Sequence, residues 1–281
     1  MINIDGQLVA DSSFYLNAEN SVFARGDGLV ETVRVLQGKV IFWEEHYLRL
    51  MASMRILRME IPMNFTMEFL EEELRKTIDQ SGLNDKAVIA RIYVFPKNSD
   101  GPGDPDRLAT YLIQLKPLSS PFYLHEDSHY EVDLYKDFYI QAGMLSTLPT
   151  VSSVLKSIGT VYALENGYAD CILLNDQKNV VQTLKGNLFL VGNNKIKTPP
   201  LSDGCDNNVL RKKVIELIEK SKEYEIEEGS ISPFELQKAD ELFITEISSG
   251  IQSVSRYRRT EFKNEIAISI LGKLNAAARF S

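Results

Sequence analysis

Apolar residues recur along this chain with two periods. Across residues 63–81, Leu70, Leu74 and Ile78 fall four apart and Gly82 follows, which predicts a helix and its stop. Residues 44–58 also read as helix. Residues 151–166 set Val151, Val154, Leu155, Ile158 and Tyr162 on one stripe, predicted to face inward, with Gly167 closing the helix. Residues 207–222 repeat the pattern with Val209, Leu210, Val214, Leu217 and Ile218, and 264–280 form a last helix. Ser232-Pro233-Phe234-Glu235 is a capping box with proline at the first helical position. Between these lie β-branched and aromatic runs at 1–9, 31–43, 86–95, 109–115, 170–174, 188–191 and 241–247, with Gln37-Gly38 as a turn. The class is α+β, or mixed α/β. Pro, Gly, Asn and Asp cluster in 97–106, a predicted loop, and Pro117, Ser119, Ser120 and Pro121 mark a linker. The expected domains are 1–117 and 126–281, joined by 118–125.

Composition narrows the function classes. A chain of 281 residues with 44% apolar content can bury a large core. The charge balance, 31 basic against 39 acidic, gives −8, so no nucleic-acid partner is expected. Two cysteines make no disulfide framework. The N-terminus is polar and acidic, unlike a signal peptide, and no apolar run reaches the roughly 20 residues of a membrane helix. A cytoplasmic protein with no membrane partner is the expectation. Nucleotide-binding glycine motifs and zinc motifs are absent. His46, His125 and His129 lack metal-ligand spacing on a helix, so no metal is expected and the histidines are predicted at the surface. Cys171, in an apolar strand, reads as a buried inert thiol.

Six segments in order carry more. They are Arg25-Gly26-Asp27-Gly28-Leu29-Val30-Glu31-Thr32, Glu45-His46-Tyr47-Leu48-Arg49-Leu50, Asn166-Gly167-Tyr168-Ala169-Asp170-Cys171, Gly186-Asn187-Leu188-Phe189, Thr198-Pro199-Pro200-Leu201-Ser202-Asp203-Gly204-Cys205, and Asp240-Glu241-Leu242-Phe243-Ile244-Thr245. Together they resemble the class IV aminotransferases. These are the fold-type IV pyridoxal-phosphate enzymes, which include branched-chain and D-amino-acid aminotransferases and aminodeoxychorismate lyase. The resemblance implies a small N-terminal α/β domain, a larger C-terminal pseudo-barrel domain and a homodimer. It also implies a lysine Schiff base with the cofactor, a glutamate at the pyridine nitrogen, and an arginine and helix-start amides at the phosphate.

The chemistry-bearing positions depart from that pattern. The phosphate arginine maps to Arg49. The lysine maps to Pro149, in Ser146-Thr147-Leu148-Pro149-Thr150 where the family has S-x-L-K-T. Lys156 is the fallback amine, seven residues late, and is predicted on the polar side of its helix beside Ser153 and Thr160. The pyridine glutamate maps to Gln182, which carries no charge. The family's G-x-x-R helix start maps to Asn208-Val209-Leu210-Arg211, leaving the amides of Val209 and Leu210 as phosphate candidates. The second phosphate turn reads Glu246-Ile247, with the Glu246 carboxylate pointing either in or out. Pro96 stands where a second arginine follows Arg91, and Val30 replaces an aromatic residue. The leading expectation is a family member without pyridoxal-phosphate catalysis and with no cofactor. It keeps a binding or regulatory role, with a small anionic ligand at Arg49. The alternative is an active aminotransferase or aminodeoxychorismate lyase using Lys156. A cofactor-free activity at Glu31, His46 and Arg49 is a third class, though their spacing does not make them a catalytic set.

Overall fold

The computed structural model describes residues 1–13, 20–97, 107–126 and 128–281. Residues 98–106 of the predicted loop thus lie outside the described residues. The chain divides into two compact units. The first holds Met1–Pro121, Pro149–Ser152 and Ser281; the second holds Phe122–Leu148 and Ser153–Phe280.

Among the described residues, the first unit is one six-stranded sheet with three α-helices, two of which pack on one face. Its strands are β1 (Ile2–Ile4), β2 (Gln7–Val9), β3 (Leu29–Leu36), β4 (Lys39–Val40), β5 (Ala87–Pro96) and β6 (Ala109–Pro117), in the order β2-β1-β6-β5-β3-β4. All pairings are antiparallel. The tight turns fit their residues: Asp5-Gly6 and Gln37-Gly38 both take positive φ at two successive positions, as two-residue hairpin loops require. The helices are α1 (Ser21–Arg25), α2 (Trp43–Ile56) and α3 (Met67–Gln80). Leu70, Leu74 and Ile78 of α3 are buried, as their spacing predicts. They pack with Leu50 and Met54 of α2 on Val88, Ala90, Ile92 and Val94, alternate residues of β5.

Among the described residues, the second unit carries two five-stranded sheets and four α-helices. In chain order come β7 (Glu131–Ile140), α4 (Val154–Glu165), β8 (Asp170–Asn175), β9 (Val180–Thr183), β10 (Asn187–Gly192) and β11 (Lys195–Thr198). Then follow α5 (Val209–Ser221), β12 (Glu225–Glu228), α6 (Pro233–Leu236), β13 (Glu241–Glu246), β14 (Gly250–Val254), β15 (Arg256–Tyr257), β16 (Thr260–Glu261) and α7 (Glu265–Phe280). The sheets run β12-β11-β10-β13-β14 and β16-β15-β7-β8-β9. Val132, Ile172 and Val180 of one meet Leu188, Leu242 and Ile244 of the other in a shared core. The predicted capping box starts α6: Phe234 N donates to Ser232 Oγ, and Ser232 N donates to Glu235 Oε1 at 2.8 Å.

The stripe predicted for 151–166 is corrected. The buried residues of α4 are Gly159 and Ala163, while Val154 is 70% exposed and Val161 and Leu164 also face outward. The reason is close approach. A Cβ on Gly159 would stand 2.5 Å from Leu184 Cδ2, so the helix meets the sheet through its small residues, with Leu155 and Tyr162 of the predicted stripe packed beside them and Val154 turned outward.

Candidate functional site

In the first unit, strand period and helix period bring three polar side chains together. Leu29, Val33 and Val35 of β3 belong to the core under the helices, and Glu31 shares their face. On α2, His46, Leu50 and Met54 form the buried stripe, and Arg49 lies one turn beyond His46. His46 Nδ1 is 2.5 Å from Glu31 Oε1, and Arg49 Nη1 donates to both Glu31 oxygens at 3.1 and 3.2 Å. Glu31 is fully buried. Burial opposes its charge, but the Arg49 guanidinium and the His46 hydrogen bond outweigh that and hold the carboxyl below its usual range. Arg49 Nε is buried without a hydrogen-bond partner among the described residues. The surface prediction fails for His46, because Glu31 supplies the partner that a buried imidazole needs. His129 is exposed, and His125 lies beside Asn264.

Pro149 belongs to the first unit as well. Its carbonyl accepts from Val30 N at 2.7 Å, and Val151 N donates to Gly28 O at 3.0 Å, so residues 149–151 bridge the start of β3. The position holds a backbone role and offers no amine.

The second unit gathers Gln182, Lys156 and the start of α5. Gln182 is buried, and its Oε1 accepts from Asp206 N at 2.6 Å. The Asp206 carbonyl accepts from Asn187 Nδ2 at 2.9 Å, and its carboxylate pairs with Lys156 Nζ at 2.9 Å. Lys156 is therefore not on the solvated side of its helix; it lies toward the inner face with Gly159 and Ala163, its side chain 40% exposed. Asn208 is the N-cap of α5, and its Oδ1 accepts from Leu210 N at 2.8 Å. Val209 and Leu210 are both buried. The Glu246 carboxylate turns back on its own loop, where the Ser248 and Ser249 hydroxyls donate to it. Ile247 is buried. Both cysteines are buried, and burial pushes the Cys171 thiol up to about 12 and the Cys205 thiol up to about 11.

The sequence reading missed Asp206 as a hub. The available signal was a carboxylate two residues ahead of the helix cap Asn208, directly after the Thr198–Cys205 segment.

A mixed α/β chain with this sheet order has the fold of the fold-type IV aminotransferases. The chain belongs to amino-transferase class IV, whose family description matches residues 28–257. It is 26% identical over 266 residues to an Aquifex aeolicus protein described as a probable branched-chain-amino-acid aminotransferase, covering 89% of this chain and 82% of that one. It is 25% identical to the aminodeoxychorismate lyase of Vibrio harveyi, covering 90% of each chain. The branched-chain aminotransferase of the thermophilic archaeon Thermoproteus uzoniensis, solved with norvaline, superposes with a TM-score of 0.86 at 21% identity, covering 97% of this chain and 92% of that one. No helix among the described residues is long and apolar enough to cross a membrane.

Proposed function

We propose that this chain keeps the class IV fold without pyridoxal-phosphate catalysis and serves a binding or regulatory role. The observation that carries the reading is Pro149. It stands at the Schiff-base position, has no amine, and is tied into the backbone by its hydrogen bond to Val30. The other positions agree. Gln182 offers no charge to a pyridinium, and its Oε1 already accepts from Asp206 N. The Leu210 amide is taken by Asn208, and Glu246 adds a carboxylate where the family has small or hydroxyl residues. The residues present do not fit the cofactor.

Arg49 supports a residual role for a small anion, since among the described residues its Nε has no partner and Glu31 engages only Nη1. A homodimer belongs to the same reading. It is supported by the bulky apolar residues that α4 leaves exposed.

One observation favours the alternative of an active enzyme with a relocated lysine: Lys156 reaches the Gln182–Asp206 group rather than solvent. A Schiff base there requires the amine to leave Asp206. The test is a titration of the full chain with pyridoxal phosphate, followed by visible absorbance, with transamination assayed alongside. The expected result is the spectrum of the free cofactor and no amino transfer. A new visible band with turnover overturns the reading.

A further inference from the structure

We propose that the start of α5 is closed by its own chain, so that the second unit folds with no phosphate-bearing ligand there. The inference rests on the reading above and concerns a different atom, the Leu210 amide. The first backbone N–H groups of a helix lack partners within the helix, and a bound anion commonly meets them. Here Asn208, in extended conformation with φ −84° and ψ 140°, turns its own amide oxygen onto Leu210 N at 2.8 Å. A neutral side chain thus fills the place that an anion would take.

The residues leading into the helix are held in the same way. Asp203 O accepts from Asn175 Nδ2 at 3.2 Å, and Asn207 N donates to Thr147 O at 3.0 Å. Asp206 is held at three points: its N–H by Gln182, its carbonyl by Asn187 and its carboxylate by Lys156. Inside the first turn, Arg211 donates to Pro199 O and to Glu228. The Asp206 carboxylate adds a negative charge two residues ahead of the cap, where it favours the helix dipole and disfavours a second anion. All of these contacts come from within the second unit.

The test uses amide hydrogen exchange and nitrogen–proton correlation spectra of the full chain. Wild type and Asn208→Gly are compared, each with and without inorganic phosphate at matched ionic strength. Glycine is itself a tolerated N-cap, so the variant is expected to fold. In wild type the Leu210 amide should exchange slowly without phosphate, and phosphate should move neither the Val209 nor the Leu210 resonance. In Asn208→Gly the Leu210 amide should exchange about twofold faster, the small loss expected when glycine replaces an asparagine cap, and phosphate should restore its protection. Phosphate-induced shifts at Val209 and Leu210 in wild type overturn the proposal. So does an Asn208→Gly protein that phosphate leaves unchanged. A lysine adduct with pyridoxal phosphate that forms while the wild-type Leu210 resonance stays still would refute the function proposed above and leave this inference standing.

Discussion

Glu31 is buried because strand alternation gives it the core face, and it stays ionised because two partners on α2 arrive at the right height. Its charge has no route to water, so the pair with Arg49 is best understood through what its loss would do. Arg49→Met leaves the carboxylate with His46 alone. Removing one partner of a buried ion pair typically costs about 3–5 kcal/mol, and the slight exposure of Arg49 places the expected loss near the lower end, about 3 kcal/mol by denaturant unfolding at neutral pH. The pH dependence has a definite sign. A carboxyl held below its usual range contributes stability that is complete above the unfolded glutamate value and fades as pH falls through the lower folded value. The gap between wild type and Arg49→Met should therefore narrow as the medium is acidified through that window. A gap that is constant with pH would mean that Arg49 acts by packing rather than by charge.

Elements were legible where one period dominated. The α3 spacing and the apolar run of β5 appear within a few residues of their predicted places. The helix at 151–166 shows where period fails. Period puts Val154 and Ile158 on the core face with Leu155 and Tyr162, yet the closest contact with the sheet is made through Gly159 and Ala163, and only Leu155 and Tyr162 of that stripe pack beside them. Small residues contribute little to a hydrophobic pattern, although they decide how closely a helix approaches. The outward stripe should behave as an interface rather than as core. The double variant Val161→Glu, Leu164→Glu is expected to keep the wild-type circular dichroism and to sediment as a monomer, with wild type expected to sediment as the proposed dimer. A variant that unfolds would place those side chains in the core, and one that remains dimeric would put the interface elsewhere.

At the scale of the whole molecule, the family was readable from packing segments spread over most of the chain, and the fold followed from it. The site was readable only as a set of substitutions. That Pro149 lacks an amine is plain from sequence. The pairing of Glu31 with His46 and Arg49 was not, because a strand and the next helix must dock before residues 15 and 18 apart can meet. Nor was the role of Asp206, whose partners come from α4, β9 and β10. If Pro149 has ended the cofactor chemistry, no lysine of this chain serves as a Schiff-base residue. The most direct test is borohydride reduction of the full chain incubated with pyridoxal phosphate, followed by peptide mass mapping of every lysine. The expected result is no site-specific label, only sparse modification spread over exposed lysines. A single stoichiometric adduct, at Lys156 above all, would contradict it.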